Sequence, residues 1–356
     1  MPTNPLIGHA DEVSPEWLTS VLRRSGYLGK GEVVAVGKRL SGRQGFSSDG
    51  FHLEITYSGE VSKSAPTYLF LKVGKPGSFE GLRKEIEFYR VSEDVQENLP
   101  VPRCFDADYS PSLRTSHLLL QDLSRTHFAL DAPFTSTDAK CKSAVECLAR
   151  IHSFWWNHPK LGRDVGERVT RDSFGQIIRY LEECVAHFLN LLGDRLSKKR
   201  RELYILVLRS FPDLYLQCVD RGVPVTLVHG DAHLGNFMFP KEMGRDTAVL
   251  LDWEVWRVDF GIRDLASMMA LNWRPDQRQA MERSLLIYYH SRLLENGVRN
   301  YDWDECWLGY RISVVSNLFT PVLYSHYKIS PAIWWPLMEN SFLAFQDLGC
   351  SELLDK

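Results

Sequence analysis

Short apolar runs separated by turn residues dominate the first third of the chain. The segment 51–57 alternates apolar and polar side chains, which is typical of a half-exposed β-strand. A helix interrupts the strands, because apolar residues between Phe79 and Val91 recur at helical spacing. An earlier helix is expected to start at Pro15, with Ser14 as its N-cap. The other predicted strands are 32–40, 68–73, 102–105 and 116–120.

The pattern changes after residue 122. Apolar positions predict long helices over 138–154, 171–192 and 199–221, and again over most of 274–348. We therefore predict an α+β protein with two parts. Residues 1–122 hold a sheet and a helix, and residues 123–356 form a larger, mainly helical part.

Composition narrows the class of protein. A length of 356 residues suggests two domains or one two-lobed domain, and 44% hydrophobic residues are ordinary for a soluble enzyme. The net charge of −3 disfavours a nucleic-acid partner. Seven scattered cysteines without a Cys-x-x-Cys pair indicate a reducing compartment. No apolar run reaches bilayer length and no signal peptide is apparent, so we expect a cytoplasmic protein without a membrane partner; its oligomeric state is unknown.

The loop His229–Asn236 carries the most informative chemistry. It follows the apolar run 223–228, and Asp231 and Asn236 lie five positions apart within it. A second apolar run, 248–251, ends in Asp252. Phosphoryl transfer needs one carboxylate to receive the proton of the attacking hydroxyl, and an amide oxygen and a second carboxylate to hold Mg²⁺. Asp231 is the predicted base, and Asn236 and Asp252 are the predicted metal ligands.

Two other interpretations of this loop remain open. It could be a solvated connection between two strands. It could also hold a hydrolytic metal, because His229, Asp231 and His233 alternate along the chain. A hydrolytic centre usually needs three or four protein ligands, and the sequence contains no further Cys/His cluster with ligand spacing.

The spacing of Asp231 and Asn236 is that of the protein-kinase catalytic loop. Two motifs resemble the aminoglycoside phosphotransferase and choline kinase superfamily. They are His229-Gly230-Asp231 in this loop and Asp252-Trp253-Glu254 after the next strand. Finer motifs resemble its ecdysteroid kinase-like (CHK kinase-like) branch; they are 45–49, 148–156 and 288–290. The resemblance covers nearly the whole chain. It implies a two-lobed kinase-like fold, with a small antiparallel-sheet N-lobe and a mainly helical C-lobe, and it implies ATP and Mg²⁺ as cofactors.

The resemblance also assigns the nucleotide side. Lys72 lies within the apolar strand 69–73, so it must either face solvent at a sheet edge or have a partner. In this fold such a lysine reaches the α- and β-phosphates. The family pattern of a Glu two residues before an aromatic pair selects Glu85 as its partner, while Glu87 is expected to be a solvated charge.

Further nucleotide contacts follow from the same resemblance. The loop 41–50 contains three glycines, which let backbone N–H groups approach phosphates. Arg43, Ser47 and Ser48 are candidates for phosphate contacts, and a solvated loop tip is an equal alternative. The segment 118–123 resembles the linker strand whose backbone meets adenine, which makes Gln121 and Leu123 cofactor-binding candidates.

Two aspartates beyond the metal motif need separate interpretation. The triplet Asp259-Phe260-Gly261 spells the protein-kinase metal motif, but it does not follow the apolar strand end, and we interpret it as a coincidence. Asp264 either braces the catalytic loop through backbone hydrogen bonds or caps the helix that starts near Leu265.

The acceptor is expected to be a small organic alcohol with a partly apolar body. The C-terminal third is rich in aromatic residues and mixes acidic with basic side chains, whereas an aminoglycoside would require a dense acidic rim. A choline-type aromatic cage remains an alternative. A catalytically silent nucleotide-binding protein is a further alternative, which the intact set of motif residues disfavours. A protein kinase lacks support because no Ala-Pro-Glu segment follows Asp252.

Overall fold

The structure is a computed structural model that describes residues 5–42, 45, 47–75, 77, 79–131, 137–242 and 247–354. Arg43, a predicted phosphate contact, lies outside these residues. The described chain divides into two compact units. Unit 1 contains the residues up to Ala129 together with Met238–Trp256, and unit 2 contains Leu130–Phe237 and the residues from Arg257 onward. The predicted boundary at residue 122 therefore differs from this division.

Unit 1 is built on a five-stranded antiparallel sheet with the order β1-β2-β3-β5-β4. Its helices are α1 (Pro15–Arg24), which Ser14 caps through Trp17 N, and α2 (Phe79–Val91). Leucines from α1 pack with leucines of the sheet to form its core. The strands are β1 (Glu32–Leu40), β2 (Ser48–Ser58), β3 (Tyr68–Gly74), β4 (Cys104–Ser110) and β5 (Thr115–Gln121).

Two strand boundaries differ from the sequence prediction. Residues Ser48–Gly50, predicted as loop, pair with Lys72–Gly74 and so belong to β2. Strand β4 runs to Ser110 instead of ending at residue 105, because it stays paired with β5 up to Thr115. Its second half is polar and half-buried, which hid it from a pattern based on apolar residues.

A smaller sheet explains why unit 1 includes a segment from later in the chain. Strands β6 (His127–Ala129), β8 (Phe237–Pro240) and β9 (Val249–Leu250) form it in the order β6-β8-β9. The antiparallel pairing of β6 with β8 places Met238 opposite Ala129. This pairing joins segments that are far apart in sequence, so local patterns could not reveal it.

Unit 2 is mainly helical, as predicted, and contains one short antiparallel pair. Strand β7 (Thr226–Val228) pairs with β10 (Arg257–Asp259). A π-helical segment, Ala266–Leu271, continues the short helix α6. No helix among the described residues has both the length and the apolar character needed to cross a membrane. The helices are α3 (Asp138–Phe154), α4 (Arg171–Leu192), α5 (Lys198–Asp220), α6 (Ile262–Leu265), α7 (Pro275–Glu295), α8 (Trp303–Asn317), α9 (Phe319–His326) and α10 (Pro331–Asp347).

Candidate active site

Lys72 lies on a central strand of the sheet and has two carboxylate partners. Strand β3 pairs with β2 on one side and with β5 on the other, so the alternative of an edge-strand lysine is wrong. The Nζ atom donates to Glu85 Oε2 at 2.7 Å and also contacts Asp252 Oδ1. The side chain of Lys72 is only 12% exposed. The contact predicted between Lys72 and Glu85 is present, and Asp252 is added to it.

Helix α2 holds Glu85 in place through aromatic contacts with the segment that follows Asp252. Phe88 stacks on Trp253, with ring centroids 3.8 Å apart and planes tilted by 2°. Trp256 Nε1 donates to the carbonyl oxygen of Lys84 at 2.7 Å. The helix and the Asp-Trp-Glu segment are therefore packed as one piece within unit 1.

Burial controls the electrostatics of the Lys72–Glu85 pair. Burial raises the pKa of Glu85 to about 7, and the positive charge of Lys72 opposes that shift. Burial alone would lower the pKa of Lys72, but the negative charges of Asp252 and Glu85 outweigh it and raise the pKa. Lys72 is therefore charged at neutral pH. Glu85 Oε1 is buried and has no hydrogen-bond partner among the described residues.

Glu254 is a site residue that the sequence reasoning missed. Ser47 Oγ donates a hydrogen bond to Glu254 Oε1, which joins the glycine-containing loop to the Asp-Trp-Glu segment. Ligand oxygens of Glu85, Asp252 and Glu254 all lie within 4.8 Å of one another. Hard cations such as Mg²⁺ prefer oxygen ligands. The position of Glu254, two residues after Asp252, was the available signal.

Gly81 on α2 makes room for this arrangement. A Cβ atom at Gly81 would lie 2.8 Å from Glu254 Oε2 and 3.0 Å from Ser47 Cβ. Both distances are at or below the closest approach of real Cβ atoms, so a side chain at this position would displace Glu254. A side chain at this position would therefore disturb the observed contact between Ser47 and Glu254.

The remaining predicted nucleotide contacts lie at the start of β2 and at or just after the end of β5. Ser47 and Ser48 are both buried. Gln121 is the last residue of β5, and its N–H donates to the carbonyl of Arg103 at 2.8 Å. Leu123 is buried, and its carbonyl accepts from His127 N at 2.8 Å. The structure tests no ligand contact of these four residues, and their nucleotide role stays a prediction.

In unit 2, Asp264 braces the loop His229–Asn236. Its Oδ2 accepts from His229 N at 2.7 Å, and its Oδ1 accepts from Gly230 N at 2.9 Å. Gly230 has a φ of 85°, a backbone conformation that favours glycine. Helix α6 begins at Ile262, before Asp264, so the alternative that Asp264 caps this helix is wrong.

A buried histidine supports this brace. His152 Nε2 lies 3.2 Å from Asp264 Oδ2, and its Nδ1 lies 2.8 Å from the hydroxyl of Tyr289. Burial raises the pKa of Asp264, but hydrogen bonds and positive charge from His152, with further contributions from His229 and Gly230 N, outweigh it and lower the pKa. The carboxylate is therefore ionised and fully engaged. His152 and Tyr289 lie in two of the segments that resemble the ecdysteroid kinase-like branch, but this role was not predicted from the sequence.

The carboxylate of Asp231, in the loop His229–Asn236, is partly accessible to solvent. Its side chain is 35% exposed and lies 3.7 Å from His233 Nε2. Asn236 Nδ2 donates to the backbone carbonyl of Asp231 at 2.9 Å, which ties the two ends of the loop together. His229 is buried, and its Nδ1 accepts from Asp231 N. Among the described residues, the candidate metal cluster is Glu85, Asp252 and Glu254, which gives no support to a hydrolytic centre at His229, Asp231 and His233.

Asp259, which the sequence analysis left out of the metal site, is engaged by side chains of unit 2. It is 4% exposed and accepts from Tyr215 Oη at 3.2 Å. Its other oxygen lies 3.1 Å from Arg257 Nε and 2.9 Å from Arg263 Nε. These partners engage both carboxylate oxygens, so Asp259 links β10 to α6 within unit 2.

Comparisons with known proteins show the family and the fold. The sequence profile of the Ecdysteroid kinase-like family matches residues 84–299. No curated protein sequence matches the chain significantly. The structure resembles a choline kinase from Cryptosporidium parvum (TM-score 0.57, 12% identity), over 95% of this chain and 96% of that one. It also resembles the GDP complex of aminoglycoside 2′-phosphotransferase-IIIa (TM-score 0.52, 14% identity), over 94% and 98% of the two chains. At these identities the likeness shows the kinase-like fold.

Proposed function

The chain belongs to the ecdysteroid kinase-like family, and we propose that it is an ATP-dependent kinase that transfers the γ-phosphate to a hydroxyl of a small organic alcohol. The observation that carries the proposal is the buried Lys72, which is held between Glu85 and Asp252. A charged lysine with carboxylate partners on a central strand is the arrangement that positions nucleotide phosphates. The similar structures are those of a choline kinase and an aminoglycoside phosphotransferase, which supports a small-molecule acceptor.

Unit 1 supplies the nucleotide-binding residues in this proposal. Lys72 contacts the α- and β-phosphates, and Glu85 keeps its ammonium group oriented. Ser47 and Ser48 contact phosphate oxygens from the end of the glycine-containing loop. Gln121 and Leu123 contact adenine.

The carboxylates of the site fit a magnesium ion. Asp252 and Glu254 offer oxygen ligands, which Mg²⁺ prefers. Asp252 has a φ of 66°, a strained conformation of the kind that clusters at functional sites. We assign Mg²⁺ to Asn236 and Asp252 by their places in the sequence motif. Bound Mg²⁺ would neutralise the charge on the phosphates.

Asp231 acts on the acceptor. Its partly exposed carboxylate accepts the proton of the attacking hydroxyl as the new oxygen–phosphorus bond forms. The bond between the γ-phosphorus and the β–γ bridging oxygen breaks, so the products are ADP and a phosphate monoester. The hydrogen bonds of Asp264 to His229 and Gly230 fix the backbone immediately before Asp231.

The acceptor in this proposal has a partly apolar body. Burial and the negative charge of Asp231 both raise the pKa of Tyr324 on α9. Tyr324 is therefore close enough to the proposed base, Asp231, for the carboxylate charge to affect its pKa. An aromatic side chain near the proposed base favours an alcohol with apolar surface over a polyamine sugar.

A screen of alcohols tests the proposed function. The purified chain is incubated with Mg-ATP and single alcohols, and ADP release is compared with that of the Asp231→Asn variant. A phosphate monoester, identified by mass spectrometry, is expected from at least one partly apolar alcohol. Mg-ATP binding without any turnover would favour a silent nucleotide-binding protein. Turnover of aminoglycosides alone would overturn the substrate class.

A further inference from the structure

Two buried oxygen atoms on helix α2 have no hydrogen-bond partner among the described residues. They are Oε1 of Glu85 and the hydroxyl oxygen of Tyr89. Glu85 is 0% exposed and Tyr89 is 1% exposed, so bulk solvent does not solvate either group. Buried polar atoms are normally paired with protein or with an ordered water, because an unpaired one loses its hydration without compensation. Two such atoms on one helix therefore call for a shared partner.

The geometry of the helix brings these two oxygens to the same side. Tyr89 follows Glu85 by four residues in α2, and side chains at this spacing are neighbours on one helical face. Long side chains in a helix lean towards its N-terminus, so the ring of Tyr89 lies over the turn that carries Glu85. Burial raises the pKa of the Tyr89 hydroxyl, and the negative charge of Glu85 is the next cause. The carboxylate is thus the leading charged neighbour of this hydroxyl.

The other two charged neighbours of the hydroxyl are weaker or already engaged. They are Cys104 and Asp252. Burial raises the pKa of the Cys104 thiol, so the sulfur is neutral and a weak acceptor, and it donates to the carbonyl of Asp106 at 3.6 Å. Asp252 accepts from Lys72. The free acceptor that best matches the hydroxyl is therefore Glu85 Oε1.

A bound water fits between the two oxygens. They make no direct hydrogen bond with each other, and polar groups that face one another beyond hydrogen-bond distance are commonly bridged by water. A buried water needs two to four polar partners, and Tyr89 and Glu85 supply a donor and an acceptor. Solvent reaches this part of unit 1, because Tyr89 and Cys104 line a cavity of about 360 Å³.

We propose that Tyr89 is a positioning residue of the nucleotide site, and that its hydroxyl holds Glu85 through one bound water. The hydroxyl donates to the water, and the water donates to Glu85 Oε1. The other oxygen, Oε2, accepts from Lys72 Nζ at 2.7 Å. The bridge fixes the rotation of the carboxylate and thereby the direction of the ammonium group. Its effect on nucleotide binding rests on the proposed function, whereas the bridge itself does not.

A double-mutant cycle on stability tests the bridge without any nucleotide. Tyr89→Phe removes only the hydroxyl. In Glu85→Gln, Lys72 retains the oxygen of the new amide, so the amide nitrogen takes the place of Oε1 and cannot accept from the water. Tyr89→Phe should therefore lower the midpoint of urea denaturation in the wild-type background and leave it nearly unchanged in the Glu85→Gln background.

Tyr204→Phe is the matched control for this cycle. Tyr204 is 0% exposed, and its hydroxyl also lacks a partner among the described residues. It lies on α5 in unit 2, where its charged neighbours are Arg200 and Glu339. Tyr204→Phe should change the urea midpoint by the same amount in both backgrounds. The same additivity for Tyr89→Phe would overturn the bridge.

Calorimetry with Mg-ATP tests the positioning role. Tyr89→Phe should bind Mg-ATP several-fold more weakly than wild type, because Glu85 is freer to turn away from Lys72, and Tyr204→Phe should bind as wild type does. A lower urea midpoint with unchanged affinity would show a structural role alone and overturn the positioning role. If wild type binds no Mg-ATP but the cycle shows coupling, the proposed function is refuted and the bridge stands.

A crystal structure of the wild-type protein gives the direct test of the water. We expect an ordered water at hydrogen-bond distance, about 2.5–3.0 Å, from both the Tyr89 hydroxyl and Glu85 Oε1. The same water should be absent from the Tyr89→Phe variant. A wild-type structure in which no water joins these two oxygens would overturn the bridge.

Discussion

The Oδ1 atom of Asp264 accepts a hydrogen bond from the backbone N–H of Gly230, with an N–O distance of 2.9 Å, one residue before the proposed base Asp231. Asp264 is fully buried, and it also binds His229 N and His152. This single side chain therefore determines the backbone path from which Asp231 projects.

Removing the charge of Asp264 should destabilise unit 2 and impair catalysis together. In Asp264→Asn, one carboxylate oxygen becomes an amide nitrogen that faces a backbone N–H donor or His152. We expect a loss of about 1–3 kcal/mol in the free energy of unfolding, measured by urea denaturation. Asp276→Asn is the control, because Asp276 is 68% exposed on α7. An unchanged stability in Asp264→Asn would contradict the brace.

The stabilisation by Asp264 should disappear at low pH. Its folded pKa is lowered, so its contribution is complete above the unfolded value of about 3.9 and is lost as the pH falls through the lower, folded value. The difference in unfolding free energy between wild type and Asp264→Asn should therefore stay constant between about pH 5 and about pH 7. It should shrink below about pH 4. A difference that grows on acidification would refute the sign of the shift.

Lys72 should be needed for nucleotide binding. Lys72→Ala removes the charge that is proposed to contact phosphates and that pairs with Glu85 and Asp252. Calorimetry should show much weaker Mg-ATP binding in Lys72→Ala than in wild type. Lys38→Ala should bind as wild type does, because Lys38 lies on β1 and its Nζ donates to the carbonyl oxygen of Asp11. Equal Mg-ATP affinities in all three proteins would contradict the assignment of Lys72 to nucleotide binding.

Asp252 should determine the dependence on Mg²⁺, and Asp259 should not. Asp252→Asn is preferred over alanine, because asparagine tolerates the left-handed backbone of this position. We expect Asp252→Asn to lose ADP release at every Mg²⁺ concentration. Asp259→Asn should be less stable than wild type, since it disturbs the contacts with Arg257 and Arg263, but it should retain its Mg²⁺ dependence. If Asp252→Asn keeps its ADP release and Asp259→Asn loses it, the assignment of the metal motif to Asp252 is wrong.

Gly81→Ala offers a test of the Ser47–Glu254 contact. Alanine is favoured over glycine inside a helix by about 1 kcal/mol, so the fold should not be weakened. Its Cβ would nevertheless meet Glu254 Oε2 at 2.8 Å and displace this carboxylate. If Glu254 contributes to cation binding, the Mg²⁺ concentration needed for half-maximal activity should rise. Gly175→Ala on α4 is the matched control, since its nearest atom is 3.6 Å away on Arg179.

Asp231→Asn should lower kcat with little effect on ATP affinity. The substitution keeps the shape of the side chain and removes its ability to accept a proton. General-base contributions are about 10²–10⁴-fold, and we expect a decrease on that order. Turnover at the wild-type rate, on an acceptor found in the screen, would make Asp231 a structural residue.

The sequence predicted those features that depend on local spacing. Lys72 within an apolar strand indicated a charged partner, and the family resemblance selected Glu85, whose contact with Lys72 is present. The role of Asp264 stayed open because its partners lie at least 34 positions away. The Ser47–Glu254 contact and the β6–β8 pairing were not predicted, since no periodicity records which distant segments meet.

The stack of Phe88 on Trp253 makes the effects of substitutions in the site interdependent. Glu85 and Asp252 belong to segments that share this contact, so a change at Phe88 shifts both partners of Lys72 at once. Substitutions at Phe88 and Trp253 should therefore show strong epistasis, and a loss of activity caused by one should be recoverable only by a compensating change at the other. Laboratory evolution of this protein towards new acceptors is expected to leave this pair of rings untouched.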